Sequence, residues 1–412
     1  MNKPLHTHLM SPATTRESSF SPRVPGYRLL NSPGPSRMPD EVMQAMTRQP
    51  MDMADPRFIN VIASCEAGLK RLIGTQSDVY LYATNGHGAW EAVIVNLLGA
   101  GDEVLIPGTG HFSDSWAEQT EALGAKALRT PYVEGYPIDS AAVEQALRED
   151  KAKRIVAVFM VHTDTASSIT SDIAAMRRAI DAAGHPALLV VDMVASLGVE
   201  PFNMDALGVN VVLGASQKGL MTPPGIGIVA VDALAFERGT RNPTPRYYWD
   251  WRLRKGQFAY QKFCGTAPQT LLAGMEAALN LISSEGLEQV FARHALLAGA
   301  VRAAVQGWSA GGVLSLFCQE PQACANAVTT IAVTPGIKIE DIRSVARERF
   351  QVSIAGGLGP LTGRAFRIGH LGDLNAGMIL GSLAGVEAAL TELGIPHGRD
   401  GLARAVAALA RP

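Results

Sequence analysis

Ala187-Leu188-Leu189-Val190-Val191-Asp192 and, beyond the mostly apolar stretch 209–213, Gly214-Ala215-Ser216-Gln217-Lys218-Gly219 decide how this chain is read. Each is a short apolar run that ends close to one ionisable residue. A carboxylate at the C-terminal end of a buried strand lies where open α/β sheets place their ligands. Taken alone, Asp192 reads as a helix or turn cap and Lys218 as solvated surface. In this order, however, the pair predicts a pyridoxal phosphate site. Lys218 is expected to hold the cofactor as a Schiff base, and Asp192 to keep the ring nitrogen protonated so that the ring accepts electrons. Small residues flank Lys218, and Thr222-Pro223-Pro224-Gly225 forms a stiff turn before the next apolar run. An acyl-enzyme of the Ser-x-x-Lys type fails, because Ala215 stands at the serine position.

Outward from this pair the chain alternates between two periods. Strands are expected over 79–83, 103–106, 155–161, 187–191, 209–214 and 226–231, and helices over 87–98, 113–123 and 170–183, the last capped by Thr170 or Ser171. An earlier helix is expected over 40–47 with Asp40 as its cap. Buried strands alternating with helices imply an α/β fold with a largely parallel sheet covered on both faces. After Thr266 the pattern changes to Ala-rich helices over 268–284 and 286–305. Short strands over 327–333, 351–354 and 365–368 and a helix over 377–393 follow, which suggests a smaller α+β domain. The expected division is a flexible N-terminal arm over 1–25, a large cofactor-binding domain over 26–285 and a small C-terminal domain over 286–412.

Composition narrows the function. With 412 residues, 47% of them hydrophobic and 18% charged, there is ample surface to bury in two domains and a subunit interface. A net charge of −2 with no basic stripe argues against nucleic acid as a partner. No apolar run approaches a membrane span. The four cysteines show no Cys-x-x-Cys pattern and read as reduced thiols of a cytoplasmic protein. The first two dozen residues are rich in Ser, Thr, Pro and His and lack an apolar signal core.

Three further stretches carry possible chemistry. Asn85-Gly86-His87-Gly88-Ala89-Trp90-Glu91 opens a helix after a strand, where small residues let backbone N–H groups approach a phosphate; it is neither a Walker loop nor Gly-x-Gly-x-x-Gly. His162-Thr163-Asp164-Thr165-Ala166-Ser167-Ser168 puts polar groups at a strand end, and His162 with Asp164 lacks the further ligands a metal needs. Arg367, in Phe366-Arg367-Ile368-Gly369-His370, suits a substrate carboxylate, although a surface ion pair is the plainer reading. The aromatic cluster Tyr247, Tyr248, Trp249 and Trp251 near Arg246 reads as packing or subunit interface.

Together with Ser32-Pro33-Gly34-Pro35 and Pro223-Pro224-Gly225, these elements in this order resemble the class V (fold type I) pyridoxal-phosphate aminotransferases, alanine/serine–glyoxylate branch, from about Tyr27 to Ile395. The resemblance implies a mostly parallel seven-stranded sheet and a homodimer with shared active sites. Position by position, Lys218 looks like the Schiff-base lysine, Asp192 the ring-nitrogen partner and Val194 the apolar contact under the ring. Gly86, His87 and Gln217 match phosphate contacts, Phe112 the aromatic stacked on the ring and Thr165 the hydroxyl on the ring oxygen. Thr266 resembles the threonine that reaches the neighbouring subunit's phosphate, and Arg367 the substrate-carboxylate clamp. Ser36 and Arg37 fall where the family borders its substrate, with Arg37 able to recognise a second acidic group. Departures are Phe263 at a usual tyrosine, Ser168 at a usual glycine, and Arg37 at a usual asparagine.

The expected activity is amino transfer from a small amino acid of the serine, alanine or aspartate type to a 2-oxo acid, glyoxylate first, with ping-pong kinetics. Ureidoglycine or pyridoxamine as donor is the alternative. A lyase such as a cysteine desulfurase is disfavoured, because Gln217 precedes the lysine where histidine is usual and Cys318 and Cys324 lack the surrounding pattern.

Overall fold

The computed structural model describes residues 24–410; most of the expected arm over 1–25 lies outside them. In chain order the elements are β1 (Leu29–Asn31), α1 (Asp40–Met46), α2 (Pro56–Ile73), β2 (Asp78–Thr84), α3 (Gly86–Leu97), β3 (Glu103–Ile106), α4 (His111–Ala122), β4 (Lys126–Arg129) and α5 (Ser140–Glu149). Next come β5 (Ile155–Val161), the short β6 (Thr163–Asp164) and β7 (Ile169–Thr170), α6 (Ile173–Ala182), β8 (Leu188–Asp192), β9 (Val211–Ala215), β10 (Gly225–Val231), α7 (Ala233–Arg241) and α8 (Ala259–Phe263). The rest of the chain forms α9 (Gln269–Glu285), α10 (Leu287–Trp308), β11 (Leu314–Leu316), β12 (Val328–Val333), α11 (Ile339–Arg349), β13 (Val352–Gly356), β14 (Ala365–Gly369), α12 (Ala376–Glu392) and α13 (Gly401–Leu409).

The seven-stranded sheet has the order β2-β10-β9-β8-β5-β3-β4. Only β10 runs against its neighbours β2 and β9; the other pairings are parallel. Successive side chains of a strand face opposite ways, and here both ways are inside. Leu189, Val191 and Val212 join one core cluster, whereas Val190, Val211 and Leu213 join the other. That two-sided burial explains why β8 and β9 read as continuous apolar runs without alternation. The parallel pairing of β3, β5, β8 and β9 brings their carboxyl ends, Asp192 among them, to a single edge.

The second sheet, β1-β13-β14-β12-β11, packs against α10, α11, α12 and α13. Its first strand comes from the N-terminal segment: Leu29–Asn31 pairs in parallel with β13. A division at residue 286 assigns these residues to the large unit, yet their backbone belongs to the C-terminal sheet. Asn31 fixes the crossing, donating from Nδ2 to Gly369 O at 3.0 Å and accepting from Ser382 Oγ.

Some expected boundaries move for identifiable reasons. The helix expected from 170 begins at Ile173, because Asp172 caps it by accepting from Ala175 N at 3.0 Å. Thr170 instead pairs with Thr163 in a hairpin, and Ser171 Oγ accepts from Ile138 N. Asp40 lies inside the first turn of α1, where Pro39 holds the cap position. The sequence reading passed over α2, although Asp55-Pro56 at its start and the left-handed Gly74 at its end are ordinary helix signals. Among the described residues no helix is long and apolar enough to cross a membrane.

A Cβ added at Gly369 would run into the backbone of Ser32 and Pro33. Gly369→Ala therefore forces β14 and the N-terminal segment apart, and denaturant unfolding is expected to show a loss of about 1–3 kcal/mol.

Candidate active site

A cavity of about 300 Å³ opens beyond the carboxyl ends of β5, β8 and β9, and Asp192 and Lys218 both line it. Lys218 is placed by a pinned turn. Ser216 Oγ donates to Pro223 O and accepts from Ile226 N, while Thr222 Oγ1 donates to Ser216 O. The N-terminal segment then closes over it. Ser36 donates from N to Gln217 O at 3.0 Å and from Oγ to Lys218 O at 2.8 Å, and Lys218 Nζ donates to Pro33 O. A Cβ at Gly34 would lie 2.6 Å from Lys218 Cδ and Cε, so only glycine lets the backbone pass. Burial, and next the Arg367 guanidinium, push the Lys218 amine down to about 8, against the opposing pull of Asp192 and Asp164.

Asp192 is 5% exposed. Its Oδ1 accepts from Val194 N at 2.7 Å and its Oδ2 from the Trp90 indole at 2.8 Å. Burial raises its carboxyl to about 6 even though both bonds act to lower it.

Gly86 and His87 begin α3 at the cavity wall. Asn85 caps that helix, accepting from Gly88 N at 3.2 Å. Among the described residues the N–H groups of Gly86 and His87 have no acceptor, and the helix dipole adds positive potential there. Gln217 Oε1 is buried and without a partner at the same cavity. A Cβ at Gly86 would meet Val194 Cγ2 at 3.1 Å, so glycine leaves room beside Val194. The His87 ring packs on Trp90 at 4.6 Å.

Asp164, set aside above as an incomplete metal ligand, is a structural anchor. It accepts from Phe112 N at 3.0 Å, Thr109 Oγ1 at 3.2 Å and Ala166 N at 2.8 Å. One carboxylate thus fixes the first turn of α4, which carries Phe112, and the hairpin carrying Thr165; Phe112 and Thr165 both line the cavity. Ser168 takes the left-handed φ of 59° that its place at a usual glycine suggests. The cost, roughly 1–2 kcal/mol, is offset by bonds from Ser168 N to Asp164 O at 2.8 Å and from Thr330 N to Ser168 Oγ at 3.1 Å.

Other expected positions fall differently. Arg367 is buried and is not among the residues lining the cavity, although its guanidinium acts on Lys218; it donates from Nε to Gly356 O at 2.7 Å and from Nη1 to Thr165 O at 3.0 Å, which leaves Nη2 without a partner among the described residues. Ser36 clasps the lysine turn, as described above, and does not line the cavity. Arg37 is held outside by Asp373 at 3.0 Å, so within this chain it offers no second anion clamp. Thr266 is exposed and away from its own chain's cavity. Phe263 is buried as packing. Arg246 and Trp251 are packed structure, with Tyr247 exposed. Cys318 and Cys324 are free, turn toward Glu320 O at 3.2 and 3.5 Å, and stand outside the cavity. The sequence reading missed Trp90; its place four residues after Gly86 on one helix face was the available signal.

A family model, aminotransferase class-V, matches residues 28–362. The chain is 38% identical to a serine–glyoxylate aminotransferase of Methylorubrum extorquens, over 90% of this chain and 93% of that protein. It is 39% identical to an L-aspartate–glyoxylate aminotransferase of Paracoccus denitrificans, over 88% and 91%. The crystal structure of a ureidoglycine–glyoxylate aminotransferase from Bacillus subtilis has the same fold, with a TM-score of 0.85 at 24% identity, covering 95% of this chain and 100% of that one. The chain belongs to the class-V aminotransferase family.

Proposed function

We propose that this protein is a pyridoxal-phosphate-dependent transaminase that moves an amino group from a small amino acid to a 2-oxo acid, glyoxylate first. The observation that carries the reading is the placement of Lys218 and Asp192 on one cavity, with the amine held near neutral and a carboxylate taken out of water. The residues present fit the cofactor. The free N–H groups of Gly86 and His87 form a donor corner for a phosphate, and the Gln217 amide at the same cavity carries N–H donors that can join them. Val194 and Phe112 offer apolar surfaces for a ring, Thr165 a hydroxyl for its oxygen, and Asp192 an anion for its nitrogen.

When bound, pyridoxal phosphate supplies a carbonyl that takes up amines and a ring that stores electrons. Lys218 Nζ would hold that carbonyl until an incoming amine displaces it, and the freed neutral amine would then carry a proton away from the substrate α-carbon. Asp192 would keep a proton at the ring nitrogen. Arg367 binds the substrate carboxylate through the Nη2 edge left free, while Gly356 O and Thr165 O keep the guanidinium fixed. Ser36, clasped to the lysine turn, keeps the N-terminal segment over the cavity against water.

The exposed position of Thr266 supports a homodimer in which the partner subunit's Thr266 reaches this chain's phosphate site. Sequestration of Arg37 by Asp373 favours donors with a single carboxylate, serine or alanine, over aspartate. The desulfurase reading has no support in the cavity, since neither Cys318 nor Cys324 lines it.

Two measurements test this reading. Lys218→Ala is expected to lose the visible absorption of the lysine-bound cofactor and to slow transamination by about 10³-fold or more; an unchanged spectrum contradicts it. With glyoxylate as acceptor, kcat/KM for serine or alanine is expected to exceed that for aspartate by about tenfold or more, since a second carboxylate would be desolvated without a cation. A preference for aspartate would show that the second cation comes from elsewhere.

A further inference from the structure

Trp90 lines the cavity, where it donates to Asp192 and packs against His87, two of the three ionisable side chains of the lining; Lys218 is the third. Its indole N–H donates to Asp192 Oδ2 at 2.8 Å, while Val194 N occupies Oδ1. The ring is held from behind: it stacks on Trp116 with centroids 5.5 Å apart and planes 9° from parallel, and Trp116 stacks in turn on Phe159 at 4.6 Å. Phe112 meets Trp90 edge-on at 6.3 Å. Trp90 is 2% exposed, and Trp116 and Phe159 are fully buried, so the stack supports the indole on the side away from the cavity. Within this one stack the two indoles differ: the Trp116 N–H is buried with no acceptor, whereas that of Trp90 meets a carboxylate.

We propose that Trp90 is a positioning residue whose indole N–H keeps Asp192 ionised and oriented in the cavity, and thereby governs how firmly a bound ring nitrogen keeps its proton. The proposal rests on the transaminase reading for its consequence, but not for the contact itself. A buried carboxylate without N–H donors prefers to be neutral. A carboxylate oxygen has two lone pairs, so Oδ2 can accept from Trp90 and still meet a second donor. The charged groups acting on Asp192 are Lys218, from the turn after β9, and Asp164, from the β6–β7 hairpin; the first favours the anion and the second opposes it. Trp90 is a neutral donor and acts whatever charge those two carry.

The test begins with cofactor-free protein carrying carboxyl-13C aspartate, with the Asp192 signal assigned by its loss in Asp192→Asn. Trp90→Phe keeps an aromatic ring in the stack and removes the N–H. The Asp192 titration midpoint is expected to rise by about one pH unit or more, a tenfold change in ionised fraction. Trp116→Phe, which perturbs the same stack without touching Asp192, is expected to leave the midpoint in place. In the unmutated protein, the Trp90 indole N–H resonance is expected to titrate with the Asp192 midpoint, a check that needs no folded variant. In the loaded enzyme Trp90→Phe is expected to lower kcat about tenfold or more, with KM for the donor changed less than about threefold. An unmoved midpoint in Trp90→Phe, an equal shift in Trp116→Phe, or an indole resonance indifferent to Asp192 overturns the proposal. Failure of the unmutated protein to take up pyridoxal phosphate would instead overturn the transaminase reading and leave the titration result standing.

Discussion

Asp192 and the turn bearing Lys218 follow adjacent parallel strands, β8 and β9, and the fold places both side chains in one cavity. Withdrawing a carboxylate and an amine from water costs free energy, which the protein meets with directed partners. Val194 N and the Trp90 indole serve the carboxylate; Pro33 O, brought over by the N-terminal segment, serves the amine. Much of the surrounding architecture serves these contacts. The Ser216 network pins the lysine turn, Ser36 ties the first segment to it, and Asn31 ties that segment to the second sheet. The two sheets are therefore joined through the backbone that covers the lysine.

Burial also prepares the chemistry. An amine brought down to about 8 is a competent proton carrier near neutral pH, and a carboxylate raised to about 6 remains mostly ionised there. The balance is narrow at Asp192, which is why each N–H donor on it matters. Asp164 shows the complementary use of a buried acid: its bonds go to the backbone at the start of α4, which bears Phe112, and of the hairpin bearing Thr165, and it shapes the cavity without lining it.

Much of this was legible in the sequence because two-sided burial leaves continuous apolar runs and because strand ends collect function. Asp192 and Lys218 could be paired from their order alone, and the seven-stranded, mostly parallel sheet agrees with the resemblance. What was not legible depends on contacts distant in sequence. Nothing local in Arg37 announces Asp373, and nothing in Leu29–Asn31 announces pairing with β13. Ser168 was readable as an oddity, but its accommodation needed Thr330 from the other sheet. Trp90 was hidden in a glycine-rich helix start, where a large indole reads as core until Asp192 is seen beside it.

Lys218 is the residue proposed to form the covalent link to pyridoxal phosphate. Reducing the cofactor-loaded protein with borohydride and mapping its peptides by mass spectrometry tests that most directly. A single stable phosphopyridoxyl adduct is expected, on the peptide containing Lys218. An adduct confined to another lysine, or none on protein saturated with the cofactor, would contradict it.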